Sequence, residues 1–312
     1  MRIIRDYQFV DDSDRGAAAA IGNFDGVHLG HQAVISLTAK TAHEIRCPTG
    51  ILTFEPHPRE YFAPDAAPFR LMNAEAKAHR LAKLGVARLY EVNFNEALSS
   101  LSAKAFTQRV IVEGLGLKHI VVGADFCFGK GRTGTAADLK AYGQAMGFGV
   151  TIAPLLSTGG LEVSSTRIRE ALSDGRPEDA ARMLGHLHRI EGEVIRGHQR
   201  GRELGYPTAN MSIVGLHPPK FGVYAVRVEV LDGPHASEYQ GVASMGVRPM
   251  FGENQPNLET FLFDFKGDLY GARLSVALVS YLRPEETFNG LDALIAQMDR
   301  DSAAARAALA EA

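Results

Sequence analysis

Residues Ala17 to Ile21 form an unbroken apolar run. The ten residues that follow, Gly22-Asn23-Phe24-Asp25-Gly26-Val27-His28-Leu29-Gly30-His31, turn sharply before a helix-compatible stretch from Gln32 to Ile45. A buried strand, a glycine turn and a helix start, in that order, point to a parallel strand–helix unit. The unpaired N–H groups of such a helix face the strand's C-terminal end, where they suit a phosphate. His28 and His31 are three apart and share one face of the first turn. Two imidazoles there can donate to phosphate oxygens as charge develops on them. A helical zinc pair has its histidines four apart with a nearby Glu, and neither condition is met here.

The alternation continues to about Leu155. Strand-like runs are Ala18–Ile21, Gly50–Phe54, Val86–Val92, His119–Val122 and Val150–Leu155. Helical candidates between them are Gln32–Ile45, Ala74–Leu84, Ala103–Gly114 and Ala136–Met146. This predicts an α/β domain with a parallel sheet and ligands at the C-terminal strand ends. After His186 the character changes. Short strand-like runs start at Glu191, Val223, Gln240, Glu259 and Leu274, separated by Gly, Pro and Asp clusters. In one of them Tyr224, Val226, Val228 and Val230 alternate with Ala225, Arg227 and Glu229. That pattern predicts a small antiparallel β-barrel. A terminal helix follows, with Leu291, Leu294, Ile295 and Met298 on one stripe. Asp174-Gly175-Arg176-Pro177 breaks the chain between the two patterns, and the expected domains are 1–183 and 184–312.

A net charge of −3 argues against a sequence-independent grip on nucleic acid. No apolar run reaches a membrane span, and Met1 to Asp6 lacks a signal peptide's apolar stretch. Cys47 and Cys127 are far apart, so the expectation is a cytoplasmic, reduced protein without structural zinc. A homo-oligomer is left open.

Three further segments follow predicted strands. Thr53-Phe54-Glu55-Pro56-His57-Pro58 is a turn stiffened by two prolines. Gly123-Ala124-Asp125-Phe126-Cys127-Phe128-Gly129-Lys130-Gly131-Arg132 joins a carboxylate, aromatic faces and a basic glycine loop. Val163-Ser164-Ser165-Thr166-Arg167-Ile168-Arg169 leads hydroxyls into a helix, where Ser165 or Thr166 can serve as a cap. A cap does not account for Arg167 and Arg169, a cation pair suited to phosphate.

In the second half, Gly197, Gly201 and Gly205 let backbone approach a phosphate, with Arg202 among them, and lead to Tyr206-Pro207-Thr208-Ala209-Asn210. Thr208 and Asn210 are hard oxygen donors of the kind magnesium prefers, and share a face if extended. An ordinary turn would use the same residues. Glu259 shares a strand face with Phe261 and Phe263, a costly place for a carboxylate without a task. His186 and His188 read as surface or interdomain residues, and Asp264 and Asp268 as turn formers.

Together with G-N-F-D-G-V-H-L-G-H, the T-F-x-P-H-P, G-x-D-F-x-F-G and S-S-T-R-I-R segments resemble the FMN adenylyltransferase module of bifunctional riboflavin kinase/FAD synthetases. That module is a Rossmann-like nucleotidyltransferase domain. The later segments Phe221–Val226, Ser244–Phe251, Leu258–Gly271 and Tyr281–Glu285 resemble the riboflavin kinase barrel of the same family. The resemblance implies that His28 and His31 bind ATP phosphates, with Gly22, Phe24, Asp25 and Gly26 of their loop also substrate-binding. It puts Ser164, Ser165, Thr166 and Arg167 on the ATP side, and Asp125, Phe126 and Phe128 near nucleotide and flavin. In the barrel, Gly197, Gly201, Arg202, Gly205, Tyr206 and Pro207 would bind substrate. Thr208 and Asn210 would hold magnesium with ATP, and Glu259 would be the base. Substrates would be riboflavin, FMN and ATP. Four positions depart from the family pattern. Cys127 replaces an Arg or other polar residue, Phe261 a His, Ser244 an Asn and Met250 a Thr. Rival readings are an FAD synthetase with a silenced barrel, a non-catalytic flavin-binding protein, and a transferase for another phosphate ester.

Overall fold

The computed structural model describes residues 1–312 except 155–156, 159–160, 198–204 and 251–252. Gly201 and Arg202, the end of the fifth predicted strand at Leu155, and Phe251 lie outside the described residues. The chain divides into two compact units. The first comprises 1–66 and 77–163, the second 67–76 and 164–312.

The first unit holds a six-stranded sheet: β1 (Arg2–Ile4), β2 (Ala18–Ile21), β3 (Thr49–Glu55), β4 (Arg88–Asn93), β5 (His119–Gly123) and β6 (Gly149–Ala153). All pairings are parallel, in the order β1-β4-β3-β2-β5-β6. From β2 the chain builds outward through β3 and β4, then returns to the other side of β2 with β5. Such a reversal opens a crevice at the C-terminal strand ends. The central strand β2 is buried throughout, as its unbroken apolar run requires. Helices α1 (Leu29–Glu44), α2 (Pro58–Phe62), α3 (Ala74–Lys83) and α4 (Ala136–Met146) link the strands. Ala103–Gly114 departs from the expected single helix: an α-helical turn over Ala103–Phe106 continues as a π-helix over Thr107–Gly114. Gly114 there lies against the Tyr7 carbonyl, where a Cβ would collide.

The second unit opens with α5 (Ser165–Ser173) and α6 (Pro177–Leu184). Strands β7 (Arg189–Glu193), β8 (Ala209–Ser212), β9 (Gly222–Val230), β10 (Glu238–Met250), β11 (Glu253–Leu262) and β12 (Arg273–Arg283) follow, antiparallel in the order β7-β12-β9-β10-β11-β8. An antiparallel bridge between Ile195 and Asn210 draws the two ends of this order together, leaving a nearly closed barrel. The period-two pattern of β9 does what it predicts: Tyr224, Val226, Val228 and Val230 enter the barrel core with Met211, Met245 and Leu258. Ala225, from the opposite face, packs with Val279, Ala305 and Leu309 under the terminal helix α7 (Leu291–Glu311).

Three features of this unit were not foreseen. Residues 67–76, from the first half of the sequence, form a strap on it. Leu71 packs with Ile168, Leu172, Ala180 and Leu184. Arg169 Nε donates to the Phe69 carbonyl at 2.6 Å, His217 N–H to the Arg70 carbonyl at 2.8 Å, and Asn73 to the Glu191 carbonyl at 2.9 Å. His188 is not a surface residue: it is 3% exposed, and burial pushes its pKa down to about 3, with His186 and His217 adding to the effect. The helix α7 is anchored through its second half rather than through Leu291, which is exposed. There the buried Asp301 takes two bonds from the Arg283 guanidinium, at 2.8 and 2.7 Å, and a third from Gln297.

Removing one partner of a buried, forked ion pair strands the other charge. Asp301→Ala is expected to destabilise the second unit by about 3 kcal/mol, read as a lowered urea midpoint for barrel unfolding. Unchanged stability would mean that α7 docks without this pair.

Candidate functional site

In the first unit the chain leaves β2 and reverses through Gly22–Val27. Val27 N–H closes a turn on the Phe24 carbonyl at 3.2 Å. Phe24 and Val27 have φ of 52° and 44°, and Gly26 has 83°. A β-branched residue at positive φ is strained, and strain of this kind persists only where surroundings over-determine it. Gln32 supplies one such restraint, donating to the Val27 carbonyl at 2.8 Å. Phe24, Asp25 and Val27 are buried, and Gly22 lies so close to the Phe24 ring that a Cβ would sit 3.3 Å from it.

His28 is the N-cap of α1: its Nδ1 accepts the backbone N–H of His31 at 3.3 Å. An Nδ1 that accepts carries no proton, so neutral His28 bears its hydrogen on Nε2 and offers that atom as a donor. The two imidazoles stack, with centroids 3.7 Å apart and planes at 14°. Gly30 makes room for this arrangement, since a Cβ there would lie 3.1 Å from the His28 ring. Burial pushes the His28 pKa down to about 4. It holds His31 well below the usual histidine range too, with His28 and the Lys77 ammonium adding to the effect. Both rings are therefore neutral at pH 7. His31 Nδ1 is buried and lacks a hydrogen-bond partner among the described residues, which costs stability unless a ligand satisfies it.

Beside this pair are groups the sequence did not single out. Lys77, on α3, is 4% exposed. Its ammonium lies 3.3 Å from Thr53 Oγ1 and 3.5 Å from Glu55, both on β3. At the end of β3, Phe54, Tyr61, Phe62 and Phe94 form an edge-to-face aromatic group with centroids 5.1–5.7 Å apart, and Phe62 is 68% exposed. A Tyr-Phe pair just after the Pro-His-Pro turn was the available signal.

After β5, Asp125 is exposed, and the Phe126 ring stacks on Phe128 at 5.4 Å. Phe128 is buried against Phe106, so it supports Phe126 from below. Cys127 is a free thiol of intermediate exposure. Ser164, Ser165, Thr166 and Arg167 fall in the second unit. The cap of α5 is Ser164, which accepts Arg167 N–H at 3.4 Å, rather than Ser165 or Thr166. Thr166 and Arg167 are exposed. Arg169 is committed to the strap: besides bonding the Phe69 carbonyl, it sits 5.4 Å over the Phe69 ring.

In the barrel, antiparallel register puts Asn210 directly opposite Glu259, and Glu259 opposite Ser244. Directly paired residues project to the same sheet face, so the three form one row across β8, β11 and β10. Asn257, 2% exposed, donates to Glu259 at 3.4 Å. The Asn210 amide bonds the Thr208 hydroxyl and carbonyl. A Cβ on Gly197 would come within 2.8 Å of that amide. Gly197, Pro207, Thr208 and Asn210 line a cavity of about 250 Å³ with Lys266, Asp268 and Tyr270. The last three belong to a loop read only as a turn, and Asp268 does shape it by accepting Tyr270 N–H at 2.9 Å. Gly205 has φ of 80°. The Tyr206 ring meets Phe261 at 4.8 Å while its hydroxyl donates to Asp299 on α7. Burial, aided by Asp299, raises the Tyr206 pKa and keeps it a donor.

Thr208 and Asn210 offer neutral oxygens suited to magnesium. Among the described residues no cluster of three or more His, Cys, Asp or Glu could hold a metal. That donor set fits an ion delivered with a nucleotide's phosphates rather than a resident metal.

Two family models match successive parts of the chain. The family model for FAD synthetase matches residues 10–167, and that for riboflavin kinase matches residues 184–309. Bifunctional riboflavin kinase/FMN adenylyltransferases are similar over nearly their whole lengths. The protein from Pseudomonas fluorescens is 42% identical over 98% of this chain and 97% of its own, and that from Escherichia coli K12 is 38% identical over the same shares. A crystal structure described as a macrolide-efflux protein from Streptococcus pneumoniae superposes with a TM-score of 0.81 at 30% identity, covering 98% of each chain. Among the described residues, no helix is long and apolar enough to cross a membrane.

The buried, neutral His28 has a pH signature. Its folded-state pKa, about 4, lies below the ordinary 6.5, so between these values the unfolded chain binds the extra proton. Stability contributed by this group is complete above about pH 6.5 and is lost as pH falls toward 4. Chemical denaturation of the first unit at stepped pH should show that slope, and His28→Gln should flatten it. An equal slope in the variant would contradict a buried neutral His28.

Proposed function

The chain belongs to the family of bifunctional riboflavin kinase/FMN adenylyltransferases, and from that premise we propose which residues carry its two reactions. Riboflavin and ATP give FMN and ADP; FMN and a second ATP give FAD and pyrophosphate. The observation that carries the assignment is that each compact unit holds its own cluster of candidate groups: the His28–His31 cap in the first, the Asn210–Glu259–Ser244 row in the second. The adenylyltransferase segment is taken as 1–183 and the kinase segment as 184–312.

In adenylyl transfer the FMN phosphate attacks the α-phosphorus of ATP and pyrophosphate leaves. The chain needs no covalent intermediate, so its work is positioning and charge stabilisation. His28 Nε2–H and His31 donate to phosphate oxygens on which charge builds, at the N-terminus of α1. Asp25 and the glycines Gly22 and Gly26 shape the loop against the nucleotide. The family resemblance implies an ATP role for Ser164, Ser165, Thr166 and Arg167, which fall in the second unit. Phe126 and the exposed Phe62 offer flat faces for the flavin and adenine rings.

In the kinase, Glu259 takes the proton of the ribityl 5′-hydroxyl as that oxygen attacks the γ-phosphorus. Asn257, bonded to the carboxylate, aims it. Thr208 and Asn210 receive the magnesium that accompanies ATP, which would neutralise phosphate charge. The nucleotide occupies the cavity beside Gly197 and Pro207, and Tyr206, braced by Asp299, borders the flavin. Two free cysteines suit a reduced cytoplasm. Nucleic acid and membrane are not among the proposed partners, and no oligomeric role is assigned.

Chromatography of products from riboflavin, ATP and magnesium tests the whole scheme: FAD should accumulate, with FMN passing through. FAD from added FMN but none from riboflavin would mean that Phe261, Ser244 and Met250 had silenced the barrel. His31→Ala is expected to lower FAD formation by about 100-fold or more while leaving riboflavin phosphorylation intact. Glu259→Gln should do the reverse, with added FMN still converted. Parallel loss of both activities in either variant would refute separate sites.

A further inference from the structure

Lys77 is buried to 4% exposure, yet no motif of the chain announces it. Taking an ammonium out of water costs several kcal/mol, which only good partners offset. Its ion pair with Glu55 is long, at 3.5 Å, and that carboxylate side chain is 24% exposed. The shorter contact is to Thr53 Oγ1, at 3.3 Å. The Thr53 hydroxyl in turn donates to the carbonyl of Asn23, also at 3.3 Å. A chain of donors therefore runs from Lys77 through a fully buried threonine into the loop that carries the histidine cap.

We propose that Lys77 is a positioning residue for FMN adenylylation: through Thr53 it holds the Gly22–Val27 loop in its strained form and puts a fixed positive charge behind the histidine pair. The loop needs such a restraint, because Phe24 and Val27 sit at positive φ and would relax without one. The charge has its own effect. His28 and His31, being neutral, contribute dipoles to the phosphates but no net charge. Among the described residues, the His31 ring meets those of His28, the N-cap of its helix, and Phe24 from the loop, and the Lys77 charge on α3 acts on it. Glu55 on β3 pairs with Lys77, and Asp25 completes the charged set of the loop. Among these Lys77 is the single cation, and it favours the neutral form of His31. A purely structural plug would be served as well by a methionine, which fills similar volume without the desolvation cost.

The inference rests on His28 and His31 being the phosphate contacts, so His31→Ala runs beside Lys77→Met and Lys77→Arg in the full-length chain. Riboflavin phosphorylation serves as the internal reference. Lys77→Met should lower kcat for FAD formation about tenfold, with the KM for ATP changed less. Lys77→Arg, which keeps the charge, should recover most of it. The imidazole proton resonances of His31 should titrate at higher pH in Lys77→Met than in the parent. FAD formation within about twofold of the parent in Lys77→Met, with His31→Ala inactive, overturns the proposal alone. An active His31→Ala overturns both the phosphate assignment and the proposal. If Lys77→Met unfolds the first unit, Thr53→Val decides: it removes only the bridging hydroxyl and should cost about threefold or more in kcat. A Thr53→Val enzyme with unchanged kcat overturns the proposal.

Discussion

One hydrogen bond organises the first unit: the His31 backbone N–H donating to His28 Nδ1. It starts α1, as any N-cap does. It also settles which nitrogen of His28 holds the proton, something a surface histidine leaves to solvent. Stacking then carries that orientation to His31, 3.7 Å away. Buried neutral rings with fixed donors are pre-organised: they need no reorientation when charge appears on a phosphate oxygen. A protonated pair would repel itself at this separation. In the proposed reaction, burial would serve the chemistry as well as the packing.

The second unit reaches pre-organisation by register. Asn210, Glu259 and Ser244 come from distant stretches of chain and meet because three antiparallel strands are aligned residue by residue. A slip by one position would send Glu259 to the opposite face. The hydrophobic alternation of β9 to β12 guards against that slip, since the same slip would turn buried valines outward. Core and site are therefore specified by a single pattern.

That pattern explains what could be read from the sequence. β2 is four residues of uninterrupted apolar character, and the glycine turn and helix start after it are local, so strand, turn and crevice were legible, whereas the capping role of His28 was not. Glu259 was legible because a carboxylate between strand hydrophobics is anomalous. Lys77 was not: in Ala74–Lys83 it is one cation in a charged helix, and only tertiary packing separates it from Lys83. The strand Ala209–Ser212 was hidden because Pro207, Thr208 and Asn210 are also turn residues, and its partner β11 lies some fifty residues on. His188 read as a surface or interdomain residue, since burial between α6 and β7 depends on elements that arrive later in the chain. Arg169 matched a phosphate-clamp pattern at Arg167 but belongs to the strap, a distinction set by Phe69 a hundred residues earlier.

The strap gives the molecule a topology that a linear diagram of two domains conceals. The chain enters the second unit at residue 67, leaves it at 76 and returns at 164. The second unit is thus discontinuous in sequence, and no single scission of the backbone yields both units in complete form. A fragment beginning at 184 would leave behind Leu71, Asn73 and the helices α5 and α6, with the apolar cluster and the Glu191 hydrogen bond they form.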